Sequence, residues 1–226
     1  MTGILYGIGV GAGDPELLTL KAARLIRECA VVAVPDSGTG ESIALEIVRE
    51  HLNNKPILRC PLPMTRDEKL LAQRRMEAAD QICRELDTGK DVAFLTLGDV
   101  TIYSTYLYLH KLVVARGYQA QMVAGVPSFC AAAAAVGMGL CEGGQPLHVF
   151  PASYGDTRQA LEADGTKVFM KAGNKIGELV SLLQEQGLLE GAVLAECVGM
   201  PQERLTLDLN KYDGSAGYFS TVILKA

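Results

Sequence analysis

Short apolar runs of β character alternate along the chain with longer stretches of helical periodicity. Gly3–Val10 reads as a first strand that ends in a glycine-rich turn. Leu18, Ala22, Leu25, Ile26 and Cys29 then recur at helical spacing, and Asp14 followed by Pro15 forms a favourable helix start. Val31–Val34 reads as a second strand stopped by Pro35, Glu41–His51 as a second helix, and Ile57–Cys60 as a short strand ended by Pro61. Over Arg66–Leu86 the residues Leu71, Ala78, Ala79, Ile82 and Leu86 make one apolar stripe on a polar helix. Val92–Leu97 is apolar almost throughout, as strands are when both faces of a parallel sheet are covered. A helix is predicted after Gly98-Asp99, with Tyr103, Tyr106, Leu107, His110, Val113 and Val114 on one side, and Tyr118–Val123 is strand-like. This β-α-β-α rhythm predicts a parallel, doubly wound half.

The pattern changes after Gly125. Residues 127–136 form a small-residue helix containing Ala131–Ala135, and Leu147–Phe150, Thr166–Lys171, Ala192–Val198, Leu205–Leu209 and Tyr218–Leu224 read as strands. Helices near 157–163 and 174–187 interrupt them, but none separates the last two strands. The expectation is an α/β protein of two domains: residues 1–124 around a mainly parallel sheet, and 125–226 around a mixed sheet with an antiparallel end.

Composition narrows the function. The 226 residues are 49% hydrophobic and 21% charged, which supplies two cores and excludes wholesale disorder. Twenty-one basic against 26 acidic side chains give a net charge of −5, which argues against a general nucleic-acid binder. No apolar run reaches the roughly 18–20 residues that span a bilayer, and no basic segment follows Met1, so a cytoplasmic protein with no membrane partner is expected. The six cysteines are scattered, without a C-x-x-C, and His51, His110 and His148 lie far apart in sequence. No metal site is expected, and most of the cysteines are expected to be buried, reduced thiols.

Three segments could carry chemistry. Gly7-Ile8-Gly9-Val10-Gly11-Ala12-Gly13-Asp14-Pro15 sits at a strand-to-helix turn, where glycines let a ligand approach the backbone. Read as G-x-G-x-x-A, with Asp36 after the second strand, it also fits a dinucleotide fingerprint. Against that, a carboxylate and an N–H-less proline occupy the helix start where a pyrophosphate would need free donors. A purely structural glycine turn is the third possibility. Leu95-Thr96-Leu97-Gly98-Asp99-Val100-Thr101-Ile102-Tyr103 ends an apolar strand in Gly-Asp at its carboxyl edge, the ligand-binding edge of open α/β sheets; Asp99 could equally cap the next helix. Val123-Ala124-Gly125-Val126-Pro127-Ser128-Phe129 opens an alanine-rich helix at the domain junction, a preferred place for ligand clefts.

Taken in this order, the three segments resemble the tetrapyrrole (corrin and sirohaem) methyltransferases. Leu5–Ala22 is similar to the family's first signature, and Gly98-Asp99-Val100-Thr101-Ile102-Tyr103 to its Gly-Asp-x-x-x-Tyr/Phe loop. Tyr103–Tyr106, Gly125–Phe129, Pro151-Ala152 and Val168–Lys171 resemble the precorrin-2 or cobalt-precorrin-2 C20-methyltransferase branch. Ala12 and Ala124 stand where the family commonly has proline, which leaves those turns less pre-set.

The resemblance implies two α/β domains with S-adenosylmethionine held in the cleft between them. It implies cofactor contacts from Ala12, Gly98, Asp99, Val100, Tyr103, Ser128, Phe129, Met170 and Ala195. The substrate would be a reduced tetrapyrrole bearing eight carboxylates, precorrin-2 or its cobalt form, methylated at C20 on the way to cobalamin. Gly11, Lys21, Arg66, Lys171 and Lys175 are the candidates for holding it, the basic ones because a chain of net charge −5 must concentrate positive charge locally. Asp14, Asp99 and Tyr103 are candidates for the base that removes a proton after methyl transfer. A homodimer is implied by the family likeness. Other readings are a methylase of uroporphyrinogen III or of a later corrin intermediate, an NAD-linked oxidoreductase, and a non-catalytic tetrapyrrole carrier.

Overall fold

The computed structural model describes residues 1–38, 42–154 and 156–225, the side chain of Asn174 excepted. The chain divides into two compact units, Met1–Pro127 and Ser128–Ala226. The boundary thus falls after Pro127, where residue 124 was expected. Gly125 stays with the first unit because its N–H donates to Asp99 Oδ2 at 2.8 Å.

The first unit contains β1 (Ile4–Gly9), α1 (Leu20–Glu28), β2 (Val31–Asp36), α2 (Ile43–Ile47), β3 (Ile57–Pro61), α3 (Glu68–Asp87), β4 (Val92–Thr96), α4 (Tyr106–Ala115) and β5 (Gln119–Val123). Its sheet has the order β3-β2-β4-β1-β5, and every pair is parallel. Successive side chains of a strand point to opposite faces, and β1 shows the consequence. Leu5 packs with Phe94, Tyr106, Ile82 and Leu86 under α3 and α4. Ile8 packs with Ile26, Val32, Ile47 and Leu95 under α1 and α2. Phe94 and Tyr106 are fully buried, and each such side chain contributes about 1.5–3 kcal/mol of hydrophobic stabilisation.

Local chemistry sets the element ends, and several differ from expectation. Asp14 caps only a single 3₁₀ turn, Pro15–Leu17, because Leu18 returns to extended backbone; Thr19 caps α1, its hydroxyl accepting from Ala22 N at 3.2 Å. β2 runs on through Pro35 to Asp36: β4 pairs with β2 only over Val31–Ala33, so a residue without an N–H is tolerated beyond that point. The second helix is α2 followed by a 3₁₀ turn, Arg49–His51; Glu41, its expected start, lies outside the described residues. Asp67 caps α3 by accepting from Lys69 N and Leu70 N. Tyr103 does not share the apolar stripe of α4, because α4 starts at Tyr106 and Tyr103 has a φ of 48°.

The second unit contains α5 (Ser128–Ala135), β6 (Leu147–Pro151), α6 (Thr157–Leu161), β7 (Thr166–Met170), α7 (Ile176–Glu185), β8 (Ala192–Glu196), β9 (Arg204–Thr206) and β10 (Ser220–Leu224). The sheet order is β6-β7-β10-β8-β9. β6 and β7 are parallel, β10 is antiparallel to both its neighbours, and β8 and β9 pair antiparallel. The sheet is mixed as expected, but the last two strands are not neighbours. Phe169, Leu194 and Val222 form its core with Leu179 and Leu183 of α7.

Cys29, Cys60 and Cys83 are buried, but Cys130 and Cys141 are exposed and Cys197 is half-buried; all six are free thiols. The expectation of mostly buried thiols therefore holds for half of them. Among the described residues no group of three His, Cys, Asp or Glu could hold a metal ion, and no helix is long and apolar enough to cross a membrane.

Candidate functional site

In the first unit the connection from β1 leads to β2 on one side, and that from β4 leads to β5 on the other. α1 and α4 accordingly cover opposite faces. Such a reversal at adjacent strands is where open α/β sheets bind ligands, beyond the carboxyl ends of the strands. Here the two loops are joined by a β-bridge: Gly98 N donates to Gly11 O at 2.6 Å and Gly11 N to Gly98 O at 3.2 Å. Gly11 and Gly98 have φ of 81° and 73°, the left-handed region that glycine enters without strain.

Three glycines from three separate motifs meet behind this bridge. A Cβ on Gly9 would lie 2.7 Å from Gly98 O and from Gly125 N, and one on Gly125 would lie 2.3 Å from Gly98 O. The ends of β1, β4 and β5 can close this tightly because Gly9 and Gly125 lack side chains. Gly7 serves the same packing one turn of the pleat earlier, since a Cβ there would fall 2.2 Å from the Tyr106 ring. The Tyr106 hydroxyl donates to Gln121 O at 2.9 Å and lies 3.1 Å from His110 Nδ1. His110 is thus part of the packing of α4 against β5.

Asp99 fastens the cluster. Its side chain is only 7% exposed; Oδ1 accepts from Thr101 N at 2.8 Å and from Thr101 Oγ1 at 2.5 Å, while Oδ2 accepts from Gly125 N at 2.8 Å. Desolvation pushes the carboxyl's pKa up, but the Thr101 hydroxyl and the two main-chain donors outweigh it and hold it below the usual aspartate value. Asp99 does not cap α4; the Ser104 hydroxyl accepts from Tyr106 N at 3.1 Å instead. Thr101 and Ser104 were not singled out from sequence, although an S/T two residues after an Asp or before a helix is a readable turn signal.

What the arrangement leaves open is backbone. Ala12, Gly13, Asp99 and Val100 are buried residues, and their main-chain N–H groups have no partner among the described residues. Buried amides of this kind need an acceptor, and clustered ones form a concavity for anionic or polar groups. Asp14 is half-buried, with Oδ1 accepting from Glu16 N at 2.8 Å. Tyr103 is 41% exposed and held in the left-handed region. Lys21 is exposed on the first turn of α1, and Arg66 is exposed between β3 and α3.

The dinucleotide reading fails on this geometry. The glycine loop leads into a 3₁₀ turn capped by a carboxylate, and α1 begins only at Leu20, so no helix N-terminus faces the glycines as a pyrophosphate would require. Asp36 accepts from Gly38 N at 2.8 Å and closes its own turn.

In the second unit Met170, Lys171 and Ala195 lie toward one end of the sheet's strands. Met170 and Ala195 both pair with Thr221, one from each side of β10. Lys171 follows β7 with a φ of 53° and Cys197 follows β8 with a φ of 48°. Burial lowers the Lys171 pKa from its ordinary value. Lys175 is half-buried and ends a 3₁₀ turn, its N–H donating to Ala172 O at 2.8 Å. Ser128 is half-buried and Phe129 buried at the start of α5.

Residues 4–210 match the family model described as Tetrapyrrole (Corrin/Porphyrin) Methylases. The chain is 33% identical to a Salmonella typhimurium protein named cobalt-precorrin-2 C(20)-methyltransferase, over 99% of this chain and 97% of that one. It is 32% identical to a Methanocaldococcus jannaschii protein named probable cobalt-precorrin-2 C(20)-methyltransferase, over 98% of this chain and 95% of the other. A solved structure of uroporphyrin-III C-methyl transferase from Thermus thermophilus, complexed with S-adenyl homocysteine, superposes with a TM-score of 0.72 at 22% identity. That match covers 99% of this chain and 97% of the other. A match running through both units, with relatives 32% and 33% identical over nearly the full chain, shows that the chain belongs to the tetrapyrrole methylase family.

Proposed function

We propose that this protein transfers a methyl group from S-adenosylmethionine to C20 of precorrin-2 or cobalt-precorrin-2, giving the tri-methylated precorrin-3 intermediate of cobalamin biosynthesis. The observation that carries the reading is the likeness, nearly end to end in both chains, to two proteins named as C20-methyltransferases of cobalt-precorrin-2.

The first-unit turns fit such a donor. Its aminoacyl carboxylate and ribose hydroxyls need hydrogen-bond donors, and the N–H groups of Ala12, Gly13, Asp99 and Val100 supply them without a side-chain cation. Bound there, S-adenosylmethionine supplies an electrophilic methyl on a sulfonium. The protein's task is to hold and orient. Val100 presents its main-chain N–H, Asp99 keeps that turn closed against Gly125, and Gly98, Ser128, Phe129, Met170 and Ala195 complete the contacts by family likeness. Asp99, with both oxygens accepting and its pKa lowered, is a positioning residue rather than the proton acceptor. Asp14 and Tyr103 remain as candidates for the base. Lys171, Lys175, Lys21, Arg66 and the Gly11 turn are proposed to meet the substrate and its carboxylates. Action in the cytoplasm as a homodimer rests on family likeness alone.

The test is incubation with methyl-labelled S-adenosylmethionine and enzymatically made precorrin-2, with and without cobalt. Label at C20, located by NMR, supports the proposal. Label on another carbon, or only on uroporphyrinogen III, assigns another step of tetrapyrrole methylation. Tetrapyrrole binding without transfer indicates a carrier.

A further inference from the structure

Four segments end or begin on the same edge of the second unit's sheet: the turn after β6, the residues after β7 and β8, and those before β10. Each carries a notable residue there. Tyr154, after β6, is 77% exposed. Lys171, after β7, accepts the Ser153 hydroxyl at its carbonyl. Tyr218 and Phe219, just before β10, are 46% and 39% exposed and meet edge to face, with ring centroids 5.1 Å apart. Cys197, after β8, donates its N–H to Phe219 O at 2.9 Å, carrying the ladder one step past the named strands. Exposed aromatic rings rarely cluster without a use. Lys171 and Cys197, one on each side of β10, are both non-glycine residues in the left-handed region, a conformation that persists only where surrounding structure imposes it.

The loop bearing the aromatic pair is anchored. Glu196 is 6% exposed and accepts from Gly217 N at 3.1 Å and from Arg204 Nε at 2.5 Å, while Arg204 Nη1 reaches Asp213 and Ser215 at 2.9 Å each. A platform held in place in this way loses little freedom when it binds. From β6 to β8 the sheet spans three strand intervals, roughly 14 Å at about 4.8 Å each, a width suited to a four-pyrrole ring.

We propose that Tyr154, Tyr218 and Phe219 form a stacking platform for the tetrapyrrole substrate, with Lys171 taking one of its peripheral carboxylates. This rests on the methylase reading and adds to it the residues that hold the macrocycle's apolar face. Aromatic contacts suit the apolar face of a macrocycle, and an ammonium suits a carboxylate. Met170 and Ala195, proposed to touch the methyl donor, lie on the same strand ends, so binding of the two ligands has to be read separately.

Sirohydrochlorin, the oxidised and handleable relative of precorrin-2, serves as the probe in an absorbance titration of the full chain, with S-adenosylmethionine binding measured in parallel by calorimetry. Tyr154→Ala and Tyr218→Ala are each expected to weaken sirohydrochlorin binding about tenfold, equivalent to about 1.4 kcal/mol, and to leave the S-adenosylmethionine Kd within about twofold. Tyr218→Phe, which keeps the ring, is expected to restore macrocycle binding. Unchanged sirohydrochlorin affinity in both alanine variants overturns the platform, as does a wild-type chain that binds no tetrapyrrole. Equal loss of both ligands also overturns it, since the edge would then be merely structural. A wild-type chain that binds sirohydrochlorin at these residues yet places no label at C20 upholds the platform and refutes the C20 assignment instead.

Discussion

Replacing Asp99 tests whether one carboxylate holds the strand ends together. Asp99→Ala removes three hydrogen bonds to an ionised group, two from main-chain N–H donors and one from the Thr101 hydroxyl. At about 1.5–3 kcal/mol each they sum to ~4.5–9 kcal/mol, an upper limit because they share one acceptor and are not additive. The Gly125 and Thr101 amides left without an acceptor cost about 1–3 kcal/mol apiece. We expect a loss of about 3–5 kcal/mol for alanine and about 2–3 kcal/mol for asparagine, which keeps the shape and one accepting oxygen but turns an amide donor toward an N–H. With an m-value of about 2 kcal/mol/M, the alanine variant should unfold in urea ~1.5–2.5 M earlier. Calorimetry should show S-adenosylmethionine affinity falling at least as much as turnover does. The wild-type lock should also depend on pH. The folded pKa lies below the ordinary 3.8, so its contribution is full above that value and disappears as the pH falls through the folded pKa. The asparagine variant should lack this component. An asparagine variant within about 0.5 kcal/mol of wild type, with unchanged cofactor affinity, would refute the reasoning.

Other perturbations read other parts of the structure. Gly125→Ala puts a Cβ 2.3 Å from Gly98 O, whereas Gly139 has nothing within 4 Å of that position; the first variant should lose about 3 kcal/mol or more and the second should stay near wild type in thermal unfolding. Tyr106→Phe removes the hydroxyl that donates to Gln121 O and should cost about 1–2 kcal/mol in urea denaturation, without altering cofactor affinity. Burial lifts the thiols of Cys29 and Cys60 to about 12, so iodoacetamide at pH 8 should modify exposed Cys141 rapidly and these two only on unfolding, as mass spectrometry of the digested protein would show.

Much of this fold is legible in local pattern. Val92–Leu97 announces a strand covered on both faces, and the stripe of Leu71, Ala78, Ala79, Ile82 and Leu86 announces α3. Pairing between distant segments is not legible in this way. Nothing near Ser220–Leu224 indicates that this strand lies between β7 and β8 rather than beside β9, because alternation specifies a face and not a partner. The site shows the same division. Gly9, Gly98, Asp99 and Gly125 stand out as residues, but their mutual contact depends on the order of three strands. Tyr103 looked like part of the α4 stripe because its spacing fits, and only its backbone conformation removes it. Tyr218 and Phe219 read as the start of a strand, so their exposure was invisible; the flanking Gly217 and Ser220 were the one available hint of a loop.

The position of β10 has a consequence for how the protein comes into being. Until residue 224 has emerged from the ribosome, β6–β7 and β8–β9 are two separate strand pairs with no bond between them. The first unit, complete by Pro127, can close while synthesis continues, but the second must wait with unpaired strand edges for its central member. Crowded or slowed translation should therefore endanger this half of the nascent chain first, and a nonsense codon only slightly upstream of Ser220 would leave a sound first unit attached to an open, aggregation-prone remainder.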